Sequence, residues 1–148
     1  MKAKDYLKQV KQYQIMIDQL TTEIADLRIM AIGSGSNGIS ADKVQSSPAI
    51  EDKMAAGVAK YVDLENELLN KRWEYAKLRC KVLNEIHELT DSRFIQILYL
   101  HYVLGKRLEE IACIMRKSNG EPYSYDHINA LHGEALIAFQ EVLDERNI

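Results

Sequence analysis

Apolar residues near the start of the chain recur in steps of four and three, at Tyr6, Val10, Tyr13, Ile17, Leu20, Ile24 and Leu27. That spacing puts one seam along one side of a helix for about three heptads, and it predicts a single amphipathic helix over residues 4–31. The positions between are mostly Lys, Gln, Asp, Glu and Thr and suit a solvated face. The pattern breaks at Gly33 to Pro48. The run Gly-Ser-Gly-Ser-Asn-Gly at 33–38 cannot pack a core and reads as a flexible loop. Residues 49–89 then read as a second, longer helix with Tyr61, Leu64, Leu68, Tyr75, Leu78, Val82 and Leu89 on one stripe. Val62, Leu69, Ala76, Leu83 and Ile86 widen it, and a face this broad wants more than one partner. An antiparallel pairing with 4–31 covers part of it. The rest is left for the C-terminal residues or for a homodimer through the N-terminal helices. Trp73 is assigned to the core of this packing, with an anchor for the C-terminal residues or a second subunit as the alternative.

Beyond Thr90 the elements shorten. Thr90 or Asp91 can cap a helix that runs through Phe94, Ile97, Leu98 and Tyr102 to about Leu104, where Gly105 suits a left-handed helix end. Leu108, Ile111, Ala112 and Met115 have the spacing of a short amphipathic helix. Arg116 to Tyr123 reads as a turn with Asn119-Gly120 at its tip. Ser124 caps a last helix whose buried side is Ile128, Leu131, Ala135, Phe139 and Val142. No segment alternates with period two for long enough to make a strand. The predicted class is all-α: an antiparallel, coiled-coil-like helical hairpin over 1–89 with a flexible Gly/Ser loop at 33–48, then a helix-turn-helix domain over 90–148.

Composition narrows the chemistry. Of the 148 residues 47% are hydrophobic and 28% charged, as in folded soluble domains. No apolar run nears the roughly 18 residues that span a bilayer, and the N-terminus lacks the apolar core of a signal peptide, so the expected setting is the cytoplasm with no membrane partner. Cys80 and Cys113 sit inside apolar patterns and read as buried free thiols. The four histidines, His87, His101, His127 and His132, show no zinc-binding spacing, and Glu109-Glu110 point apart on a helix. No metal site, cofactor or catalytic constellation is expected, and the chain is not read as an enzyme. The net charge is −3, and residues 91–148 hold six Lys/Arg against nine Asp/Glu, so no global basic footprint announces nucleic acid. A local patch remains available, because short-range fields do not follow net charge.

The C-terminal pattern is where a function becomes specific. Phe94-Ile95-Gln96-Ile97-Leu98-Tyr99-Leu100-His101-Tyr102, followed by Gly105-Lys106-Arg107-Leu108-Glu109-Glu110-Ile111-Ala112, resembles region 4 of sigma-70 factors. There an apolar helix ending in Tyr leads through Gly into Glu-Ile-Ala. Ser124, Ile128, Ala130-Leu131 and Ala135-Leu136 continue the likeness. With Val62-Asp63-Leu64-Glu65-Asn66-Glu67-Leu68 after a loop, the layout is similar to phage and prophage transcriptional regulators of Gram-positive bacteria of the ArpU and RinA type. The resemblance implies double-stranded DNA as partner, with RNA polymerase as a second contact, and a last helix in the major groove. On that reading Ser124, Tyr125, Asn129 and His132 are the candidate base contacts, and Lys106, Arg107, Arg116 and Lys117 the candidate phosphate contacts. Two other readings stay open. One is a DNA-packaging subunit like the small terminase proteins of phages. The other is a helical adaptor that touches RNA polymerase without binding DNA.

Overall fold

The computed structural model describes residues 1–33 and 48–147, and they are all-α, in five α-helices and one π-helical turn. The Gly/Ser loop expected at 33–48 lies, apart from its two end residues, outside the described residues. Helix α1 is Ala3–Gly33 and α2 is Pro48–Ile86. The two long helices pack antiparallel. At 31 and 39 residues they are about 46 and 58 Å long. Pro48 opens α2, where its missing N–H removes no helical hydrogen bond. No described helix is long and apolar enough to cross a membrane.

Three shorter helices follow: α3 (Ser92–Leu98), α4 (Leu108–Ile114) and α5 (Tyr125–Arg146). Asp91 caps α3 by accepting from the Arg93 backbone N–H at 2.8 Å, while the Arg93 guanidinium closes on the same carboxylate at 2.7 Å. The Arg93 side chain first, and its backbone N–H next, hold the Asp91 carboxyl below the usual carboxylate range. The expected single helix to Leu104 changes character on the way. From Tyr99 to Val103 it widens into a π-helical turn, with the Leu104 N–H reaching back to the Tyr99 carbonyl at 3.0 Å. Gly105 then turns left-handed, φ +71°, and the Lys106 N–H closes on the Leu100 carbonyl at 2.9 Å. That closure spans one residue more than the 6→1 bond of a Schellman ending, in keeping with the wider π turn before it, and it satisfies a carbonyl that the helix itself leaves unpaired.

By packing, the described residues divide into two units, 1–13 with 75–147, and 14–33 with 48–74. In the first, Leu7 and Val10 of α1, Val82 and Ile86 of α2, Ile97 and Leu98 of α3, Ile111 of α4, and Ile128, Leu131 and Phe139 of α5 form one core. Each such side chain removed from water contributes about 1.5–3 kcal/mol. α5 packs against both α3 and α4, and its buried residues Ile128, Leu131, Ala135 and Phe139 match the spacing read from the chain. In the second unit Ile17 and Ile24 of α1 and Leu68 of α2 are the buried apolar residues, and the Arg28 guanidinium donates to the Tyr61 hydroxyl at 2.5 Å.

Three expectations about burial fail. Trp73 is 65% exposed, because it lies one turn beyond the exposed Leu69, well round the helix from the buried Leu68. Cys80 and Cys113 are free thiols as expected, but both are exposed rather than buried. His132, placed by its polarity on the solvated side of α5, is instead 9% exposed. It follows Ile128 by four residues and precedes Ala135 by three, so the helix carries it onto the core side.

Candidate nucleic-acid interface

The residues singled out for DNA contact sit on the start of α5, on the connection before it and on the start of α4. Ser124 caps α5: its hydroxyl accepts from the His127 N–H at 3.2 Å. Tyr125 (46% exposed) and Asn129 then stand exposed on the first two turns of the helix, one turn apart. His132, the fourth candidate base contact, does not join them. Its Nε2 lies 3.0 Å from the Tyr102 hydroxyl, and its ring meets His101 edge-on at 5.1 Å. Burial, followed by the charges of His101 and Lys4, pushes His132 down to about 4, so it is neutral near pH 7. A neutral, covered imidazole cannot reach a base edge from this position.

The connection from α4 to α5 is more ordered than a plain turn. Arg116 and Pro122 form an isolated antiparallel bridge, and the Lys117 N–H bonds the Glu121 carbonyl at 2.9 Å. At the tip the Asn119 side chain accepts from the Glu121 N–H at 3.1 Å, and Gly120 takes φ +84°. The result is a miniature hairpin that presents Arg116 to solvent and holds Lys117 over the Tyr123 ring at 5.9 Å. Tyr123 in turn meets His127 edge-on at 4.9 Å. The structure therefore ties Lys117 to the first turn of α5 through two aromatic residues that the sequence reading left out. Their signal was present: Tyr123 and His127 are four apart across the helix start.

Lys106 and Arg107 lie at the other end of α4 and are exposed. Arg107 is the N-cap residue; its backbone N–H donates to Glu110 at 2.8 Å and its guanidinium lies 4.0 Å from the same carboxylate. The backbone bond first, then the Arg107 charge, hold Glu110 below the usual carboxylate range. So α4 carries two cations at each end, roughly 10 Å apart along its axis. Glu109, Glu110, Glu121 and Asp126 lie among them and offset much of that charge. Among the described residues no group of three or more His, Cys, Asp or Glu is placed to hold a metal ion.

What the arrangement can do chemically is limited and definite. Asn129 offers a donor and an acceptor that suit the adenine edge, and Tyr125 offers a ring and a hydroxyl. Arg116 and Lys106 offer exposed cations for phosphate oxygens. Comparison with family models, with curated proteins and with solved structures finds no match to this chain.

Proposed function

We propose that the protein is a DNA-binding transcriptional regulator of phage type, and that α3, α4 and α5 form a helix-turn-helix in which α5 enters the major groove. One observation carries this reading: Ser124, Tyr125 and Asn129 face solvent at the start of α5 while Ile128, Leu131 and Ala135 fix its opposite side in the core. A recognition helix needs that division, a rigid buried side and a polar side free to meet base edges. The short α4, with Ala112 buried beneath it, supplies the brace, and Arg116, Lys117, Lys106 and Arg107 supply phosphate contacts at its two ends. His132 has no part in base contact on this reading. It supports α5 from behind.

The acidic excess of residues 91–148 favours a second reading, a helical adaptor that touches RNA polymerase and leaves DNA alone. Selection from a random duplex library at moderate salt separates the two. The regulator enriches a defined sequence. Asn129→Ala then weakens that sequence by about 1–3 kcal/mol and leaves non-specific binding unchanged. Arg116→Ala with Lys117→Ala weakens both and reduces the salt slope by about one per lost phosphate contact. No retained DNA at low ionic strength refutes the regulator and leaves the adaptor.

A further inference from the structure

Positive charge collects at the start of α1. Residues 1–13 carry Lys2, Lys4, Lys8 and Lys11 against one carboxylate, Asp5, and all four lysines are exposed. Lys4, Lys8 and Lys11 step by four and three, so at 100° per residue they share a sector of about 60° and form a row about 10 Å long. Among the described residues none of the three enters an ion pair. Like charges at four-residue spacing repel by about 0.2–0.5 kcal/mol, a cost that a bound anion relieves. The fold brings this row to α5. The Ala3 N–H donates to Oε1 of Gln140 at 2.6 Å, and the Tyr6 ring stacks on Phe139 with centroids 6.3 Å apart. Gln140 shares a flank of α5 with Tyr125 and Asn129, the three falling within about 60° by the same count. The charge of Lys4 is also felt at His132, on that flank. The row therefore begins on the side of α5 that bears the candidate base contacts, about 16 Å past Asn129 along the helix.

We propose that Lys4, Lys8 and Lys11 grip the sugar-phosphate backbone of duplex DNA beside the groove that α5 enters. The inference rests on the DNA-binding reading above and adds to it a contact surface outside residues 91–148. Those residues hold six Lys/Arg against nine Asp/Glu, so the phosphate-neutralising charge they lack comes from α1, distant in sequence and packed against the same helix. The dimensions agree. One DNA strand carries a phosphate per roughly 3.4 Å of duplex axis, so a row of this length spans about three. A membrane surface fits less well, because a helix lying on lipid needs a free apolar side. Here Leu7 and Val10, the apolar side of the same turns, are 0% and 1% exposed. Duplex DNA is favoured over other polyanions by the flank that the row shares with Tyr125 and Asn129.

Fluorescence anisotropy of a labelled random-sequence duplex, titrated with the full chain over a salt series, tests this. Lys4→Gln, Lys8→Gln and Lys11→Gln together are expected to weaken binding on the order of a hundredfold at 0.1 M salt, and to flatten the salt slope by about 0.9 per lost contact. Helical circular dichroism should not change, since all three side chains are exposed. The same three positions changed to Arg restore the slope. Lys53→Gln, Lys60→Gln and Arg72→Gln together remove as much charge from exposed positions of α2 and leave the slope as it was. A wild-type chain that holds no duplex at low salt defeats the DNA reading and this inference with it. A wild-type chain that binds, with a slope untouched by the α1 changes or lowered equally by the α2 changes, defeats this inference alone. Tighter, row-dependent binding of a duplex RNA of equal length would overturn the choice of partner.

Discussion

The Tyr102 hydroxyl lies 3.0 Å from Nε2 of His132, inside the packing of α5 against the π-helical turn. Both groups are neutral there. Burial, and then the charge of Asp5, raise Tyr102 to about 12, while burial and the neighbouring His101 and Lys4 lower His132 to about 4. The π turn matters to this pairing: five residues per hydrogen-bonded loop rather than four bring His101 and Tyr102 round to the same imidazole.

A pH dependence follows with a fixed sign. The unfolded chain protonates His132 near its ordinary value of 6.5, and the folded chain resists until about 4. As pH falls through that window the unfolded state takes up a proton that the folded state does not, so stability is full above pH 6.5 and is lost progressively toward pH 4. The loss from this one group is about 3 kcal/mol at most. Urea denaturation of the native chain and of His132→Gln, at pH 7.5 and pH 4.5, checks it. The variant is less stable at the higher pH and loses less on going to the lower one; equal pH slopes would rule the linkage out.

A second buried polar contact joins α1, α2 and α5. Arg146, in the last turn of α5, donates to Glu85 at 3.2 Å and also closes tightly on Glu88. The Glu85 side chain is 3% exposed, and its other oxygen has no well-formed hydrogen bond. Burial first, and then this carboxylate, raise the hydroxyl of Tyr6. Removing the cation takes the shorter of two contacts from a covered carboxylate and leaves it the exposed Lys81 ammonium at 4.0 Å, which is more damaging than losing an ion pair in water. Arg146→Ala is therefore expected to lower the melting temperature clearly more than Arg93→Ala, whose partner Asp91 has a 26% exposed side chain. Replacing Arg146 and Glu85 together, with Ala and Leu, should recover part of the loss. Thermal melts of the four proteins decide the order.

Two glycines should respond to alanine with opposite sign. Gly105 holds φ +71° at the helix ending before α4, and an added Cβ there meets nothing within 4 Å. The cost of Gly105→Ala is then backbone strain alone, about 1 kcal/mol. Gly133 lies mid-helix in α5, exposed, with equally open space around it. Gly133→Ala should stabilise by about 0.4–1 kcal/mol, chiefly by restricting the unfolded chain. Denaturant midpoints at pH 7.5 measure both.

Much of this architecture was legible along the chain. The seams of α1 and α2, the Ser124 cap, the Asn119-Gly120 tip, the left-handed Gly105 and the buried side of α5 all follow from local periodicity and turn chemistry, which act over one or two helical turns. Helix period fixes which residues share a face, so Ile128, Leu131, Ala135 and Phe139 could be assigned together before any neighbour was known. What covers a face depends on residues far away in sequence. His132 was read by its polarity as solvated, yet Tyr102, thirty residues earlier, satisfies its nitrogen and lets it lie inside. Trp73 was read by its apolarity as core, yet the residue is 65% exposed beside the equally exposed Leu69. Residue type sets the free energy of being buried, and only the tertiary packing determines whether a partner is there to bury it.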